Sequence, residues 1–174
     1  MDERIDLQEL RFLVVDDDQS YRRLMTSMLR RIGISQVRLA GDAVEARAEI
    51  DEAPLDYVLL DRTLEDGKGF VVLRYLRDPK TTPVAHLPVI MTTDDHHRNH
   101  ITAAIKAGAD HILVKPISPA ELEATIRNLI AQPPEKIEIG SYVGPCRRRL
   151  PAQFYDPYAG DERRHDAEGA AASA

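Results

Sequence analysis

Three short apolar runs in this chain each stop at a charged residue. Phe12-Leu13-Val14-Val15 leads into Asp16-Asp17-Asp18, Tyr57-Val58-Leu59-Leu60 into Asp61, and Ile112-Leu113-Val114 into Lys115-Pro116. Apolar runs of this length without polar alternation have the pattern of strands buried on both faces of a parallel sheet. Open parallel sheets collect their ligands at the carboxyl ends of the strands. If these strands are neighbours, several carboxylates and one ammonium converge at one rim, with Asp61 as the candidate nucleophile.

The segments between the runs supply the helices such a sheet needs. Arg11 to Asp16 reads as the first strand. From Gln19, the residues Leu24, Met25, Met28, Leu29 and Ile32 recur at helical spacing up to Gly33, a residue suited to a left-handed cap. Val37 to Ala40 is a weak second strand. Ala43 to Ile50 is a short helix with Asp42 as N-cap. After Asp61, the polar stretch Arg62 to Lys68 reads as a loop, and Gly69 opens a helix carrying Val72, Leu73 and Leu76. Pro79 and Pro83 keep the next stretch irregular, and Pro88 to Thr93 is the fourth strand. Ile101, Ala104, Ile105 and Gly108 mark the fourth helix. Ser118-Pro119-Ala120-Glu121 opens the fifth, whose buried stripe is Leu122, Ile126, Leu129 and Ile130. Strand and helix thus alternate five times between residues 11 and 131, the pattern of a doubly wound α/β sheet with helices on both faces.

The flanks differ. Residues 1–10 are a charged lead-in, and residues 132–174 form an extension rich in Pro, Gly and Arg, expected to be partly disordered. It contains two copies of Tyr-x-Gly-x-x-Arg-Arg, beginning at Tyr142 and Tyr158. The paired Tyr and Arg suit protein docking. Acidic residues outnumber basic ones there, so the extension is no polycation, and a net charge of -6 for the whole chain argues against nucleic acid or anionic lipid as a partner. The single cysteine, Cys146, excludes an internal disulfide framework. With no signal peptide and no membrane-length apolar run in view, a cytoplasmic location is the expectation.

Asp16, Asp17 and Asp61 gathered in one partly buried pocket would repel one another unless a cation neutralised them. Magnesium, which takes oxygen ligands and keeps several waters, suits two carboxylates, a backbone carbonyl and a phosphoryl oxygen. Lys115 offers a point charge to a phosphate oxygen, and the Thr93 hydroxyl could donate to another. With the charge screened, the Asp61 carboxylate can attack phosphorus and form an acyl phosphate.

In this order and register, Asp16-Asp17, Asp61, Thr93 and Lys115-Pro116 resemble the signature of the receiver domain of bacterial two-component response regulators, over residues 11–131. The resemblance implies the flavodoxin-like strand order 2-1-3-4-5. It also implies phosphoryl transfer to Asp61 from a sensor histidine kinase or histidine phosphotransfer protein. Asp17, Asp61 and the Thr63 backbone carbonyl would ligate magnesium, with Asp16 acting through water, and the Lys115-Pro116 bond would be cis. Thr93 and Lys115 would relay phosphorylation to the surface of the fourth helix, fifth strand and fifth helix, where an output protein or a second copy in a homodimer would bind. On this reading the chain is a stand-alone phosphoacceptor, not an enzyme acting on other substrates. It departs from the family at Ile112, where a large aromatic is usual, at Glu65 in place of a common proline, at Lys68, and at Asp94, which puts an extra carboxylate beside the phosphate pocket.

Other readings are weaker. A haloacid-dehalogenase-like phosphatase needs a second acid two residues beyond its nucleophile, where this chain has Thr63. A flavin binder needs a glycine-rich phosphate cradle where this chain has three aspartates. A phosphorylation-independent adaptor keeping the fold is favoured mildly by Ile112 and Asp94. His96, His97 and His100 have a spacing that can hold zinc, but read as a solvated helix start. Cys146 beside Arg147, Arg148 and Arg149 reads as a free thiol.

Overall fold

In a computed structural model of the chain, residues 7–140 and 142–145 are described. Cys146, the arginines that follow it and the second Tyr-x-Gly-x-x-Arg-Arg copy lie outside the described residues. The elements run β1 (Arg11–Val15), α1 (Gln19–Arg31), β2 (Gln36–Ala40), α2 (Ala43–Glu52), β3 (Tyr57–Asp61), α3 (Leu64–Gly67), α4 (Gly69–Arg77), β4 (Val89–Thr93), α5 (Arg98–Ala107), β5 (His111–Val114), α6 (Pro119–Ala131), β6 (Lys136–Ile139) and β7 (Tyr142–Pro145). Strands β1 to β5 form one parallel sheet in the order β2-β1-β3-β4-β5.

Alternate residues of each strand feed two cores. On one face Phe12, Val14, Leu59, Ile90 and Leu113 pack against Met25, Met28 and Leu29 of α1 and Leu122, Ile126 and Leu129 of α6. On the other, Leu13, Val15, Val58, Leu60 and Met91 pack against α2, α4 and α5. β3 and β4 are buried along their whole length, which is why their sequences carry no polar alternation. β2 is an edge strand, exposed at Gln36, Arg38 and Leu39, and its sequence signal is correspondingly weak.

The helix caps follow the sequence. The Asp42 and Asp18 carboxylates accept from the backbone N–H groups that open α2 and α1, and the Ser118 hydroxyl accepts from Glu121 N. Gly33 takes φ +102° just past α1. Gly69 is required by a close approach: a Cβ there would stand 2.2 Å from the Asp61 carbonyl oxygen, so α4 begins directly behind the end of β3.

Two segments differ from the sequence expectation. Within the stretch read as a loop, residues 64–67 form one helical turn, with Leu64 fully buried. Glu65 in that turn has φ +41°, a conformation closed to proline, whose ring holds φ near -65°; this chain's departure from the common proline is therefore built into the backbone. The extension is also more ordered at its start than expected. β6 and β7 form an antiparallel hairpin, pairing Lys136 with Pro145 and Ile139 with Tyr142 across a turn at Gly140 (φ +61°). Alternation over only four residues is too short to stand out in a Pro/Gly-rich background.

The hairpin docks at the rim opposite the carboxyl ends of the strands. There Arg77, 2% exposed, donates to the carbonyls of Ala85, Leu87 and Gly108 and pairs with Asp110 at 2.7 Å. Lys136 of β6 pairs with the other Asp110 oxygen, and Tyr142 lies against Arg77 so closely that Gly144 has no room for a Cβ. Burial lowers the pKa of Arg77 and pushes that of Lys136 down to about 8, against the attraction of Asp110.

Candidate phosphoacceptor site

At the carboxyl rim, a cavity of about 440 Å³ is lined by Asp16, Asp17, Asp18, Tyr21, Asp61, Thr63, Asp94, Lys115 and Pro116. The acids and the lysine arrive from strand ends, and Tyr21 from the first turn of α1. Asp16 follows β1, Asp61 closes β3, and Lys115 follows β5 on a cis peptide bond to Pro116, as the resemblance implies. Asp16 and Asp61 are almost fully buried, at 3% and 1% exposure, whereas Asp17 is exposed.

The Lys115 ammonium bridges the two buried carboxylates, at 2.9 Å from Asp16 Oδ2 and 2.8 Å from Asp61 Oδ1. Burial opposes its charge, but the hydrogen bonds to Asp61 and Asp16 prevail and raise its pKa above the ordinary lysine range. Burial raises the Asp16 pKa, countered in part by Lys115 and by the Asp18 backbone N–H. Asp61 Oδ2 accepts the Thr63 hydroxyl at 2.7 Å, so both oxygens of this carboxylate are engaged. Thr63 therefore contributes a side-chain bond that the sequence did not disclose; only its backbone carbonyl was anticipated.

Thr93 stands at the same carboxyl rim. It ends β4 beside Asp61 and is buried, but it is not among the residues lining the cavity. Its hydroxyl accepts from Arg62 Nε at 2.9 Å and from Asp95 N at 3.1 Å. The Arg62 guanidinium also reaches the Asp95 carboxylate at 3.4 Å, and His100 of α5 bonds the same carboxylate. Arg62 was thus missed as a site residue, although it directly follows Asp61. Asp94, by contrast, lines the cavity as its position implied, and Ile112 fills a core position at 6% exposure. His96, His97 and His100 stand exposed at the start of α5, as a solvated helix start should.

The donor set suits a hard cation. Asp16, Asp17, Asp61 and Thr63 bring only oxygen to the cavity, and one ammonium does not balance the five carboxylates that line it. Among the described residues, no three His, Cys, Asp or Glu side chains are gathered as metal ligands. Such a site fits magnesium better than a fully protein-caged ion, because magnesium keeps several waters and binds through one or two carboxylates plus substrate oxygens.

Fold and rim together define a receiver domain, and the chain belongs to the response regulator receiver domain family, which residues 12–127 match. It is 36% identical over 118 residues to the transcriptional regulatory protein GltR of Pseudomonas aeruginosa, a match covering 68% of this chain and 48% of GltR; the chain thus spans about half the length of that relative. It is 30% identical over 116 residues to the chemotaxis protein CheY-3 of Vibrio cholerae, covering 67% of this chain and 88% of CheY-3. A solved CheY-like receiver domain from Methanospirillum hungatei superposes with a TM-score of 0.62 at 28% identity, covering 71% of this chain and 94% of the other. Receiver domains are signalling domains, and among the described residues no helix is long and apolar enough to cross a membrane.

Proposed function

We propose that Asp61 accepts a phosphoryl group and that the chain signals through protein contacts made in response. The observation that carries this reading is the Lys115 ammonium bridging buried Asp16 and Asp61 in one open cavity. Asp61 Oδ2 leaves its Thr63 hydrogen bond and attacks phosphorus; the bond to the donor breaks, and its electron pair leaves with the donor group. Lys115 stays charged throughout and draws the phosphoryl oxygens toward the cavity. Asp16, Asp17, Asp61 and the Thr63 carbonyl would hold magnesium, which when bound neutralises charge on the transferring group. The donor is a phosphohistidine on a sensor kinase or phosphotransfer protein, the output surface is α5, β5 and α6 or the extension, and the setting is the cytoplasm.

A receiver-fold adaptor that ignores phosphorylation is the second reading, favoured mildly by the aliphatic Ile112 and by the extra carboxylate of Asp94 in the cavity. One experiment decides between them. Incubated with magnesium and acetyl phosphate, the protein should gain the mass of one phosphoryl group, and Asp61→Asn should gain none. Absence of labelling from acetyl phosphate and from any kinase would favour the adaptor.

A further inference from the structure

The first turn of α1 carries a side chain that the phosphoacceptor chemistry above leaves unused. The Asp18 carboxylate accepts from Ser20 N and Tyr21 N, fixing the start of the helix and placing Tyr21 over the cavity. Lys115 Nζ lies 4.0 Å from the centre of its ring, a cation-π contact to the same ammonium that holds Asp61. Among the described residues, Tyr21 Oη is the one buried side-chain polar atom with no hydrogen-bond partner. The charges that act on it are those of Lys115, Asp16, Asp94 and Asp61, and burial, the largest influence, pushes its pKa up to about 12. The hydroxyl therefore keeps its proton, on a ring that lines the cavity and lies against the Lys115 ammonium.

Buried polar groups are satisfied in native proteins, and an exception points to something that completes it. Three side chains lining the cavity can donate hydrogen bonds. Lys115 gives two of its three N–H groups to the buried carboxylates, Thr63 donates to Asp61, and Tyr21 alone has a hydroxyl with no hydrogen-bond partner. Thr93, the other hydroxyl expected here, does not line the cavity and accepts from Arg62 and Asp95.

Resting on the phosphoacceptor reading, we propose that the Tyr21 hydroxyl donates a hydrogen bond to a non-bridging oxygen of the phosphoryl group on Asp61, making Tyr21 a further phosphoryl-binding residue of this site. The acceptor is anionic and the donor is already desolvated, so the bond belongs to the stronger, charge-assisted class. The hydroxyl keeps its proton, and nothing is transferred from it.

The test is Tyr21→Phe, which keeps the ring over Lys115 and removes only the hydroxyl. Two readouts are taken with magnesium present: the affinity for beryllofluoride, which mimics the phosphoryl group without a leaving group, and the rate of labelling by acetyl phosphate. The expected result is beryllofluoride binding weaker by about tenfold and slower labelling, the scale of one charge-assisted hydrogen bond. The midpoint of urea unfolding should be unchanged or raised, because no bond is lost in the free protein. Affinity and labelling within twofold of the unsubstituted protein would overturn the role of Tyr21. So would a lowered unfolding midpoint or failure to fold, since the hydroxyl would then hold a structural partner. If the unsubstituted protein neither binds beryllofluoride nor is labelled, the phosphoacceptor reading itself falls.

Discussion

Arg62 stands next to the proposed nucleophile in sequence yet serves its neighbour on β4. By donating to Thr93 Oγ1 while reaching toward Asp95, it fills one lone pair of that hydroxyl. Asp95 N fills the other, so the oxygen accepts twice, its proton is left to donate, and the direction of that proton is set by the two donors. Arg62→Ala should accordingly weaken beryllofluoride binding by about fivefold, equivalent to losing the alignment of one net hydrogen bond of about 1 kcal/mol. Calorimetric titration of the two proteins checks this, and equal affinities would mean that the Arg62 bond does not restrain Thr93. The identities of Asp16, Asp17, Asp61 and Lys115 were legible because each ends an apolar run. The partners of Thr93 were not, because Arg62 and Asp95 act through side-chain reach, which spacing along a strand does not report.

Among the elements, the parallel strands and their helices were readable for a plain physical reason: burial on both faces removes polar residues from a strand, and burial on one face leaves helical spacing in a helix. The β6–β7 hairpin offered neither signal. Its docking depends on Arg77, which looks like an ordinary charge at the end of α4 until the hairpin covers it. Once covered, Arg77 holds three carbonyls and Asp110 together, with Lys136 completing the cluster from β6. Arg77→Ala leaves those carbonyls unsatisfied and the Asp110–Lys136 pair buried without it. The expected loss is about 3 to 5 kcal/mol of unfolding free energy, the range for breaking a buried ion pair from one side. Urea unfolding measures it directly, and a loss below about 1 kcal/mol, the value typical of a surface pair, would show that water reaches the cluster.

At the scale of the whole molecule, two sets of buried or bonded groups respond oppositely to pH. Lys136 titrates near 8 when folded against 10.5 for an unperturbed lysine. Between those values the unfolded chain keeps a proton that the folded one has released, so this group makes stability rise with pH. Tyr21, Tyr57 and Tyr75 act in the opposite sense. Burial raises the first two, a bond to Asp51 raises the third, and the unfolded tyrosines therefore ionise first as pH climbs past 10.0. Urea midpoints should increase from about pH 7 to about pH 9.5 and decline beyond about pH 10.5. Lys136→Met should flatten the rise and leave the decline; a rise that persists in this variant would assign it to another group.

The contact between α4 and the end of β3 bears on which sequences this fold can sample. At position 69 even the smallest side chain would overlap the main chain of Asp61 itself, whereas Gly67, two residues earlier at φ +95°, has nothing within 4 Å of where a Cβ would be. A library randomised at both positions and sorted for folded protein should therefore return glycine alone at 69, while admitting asparagine and aspartate at 67. Drift is open on one side of this turn and closed on the other, and the closed side is the one that supports the nucleophile.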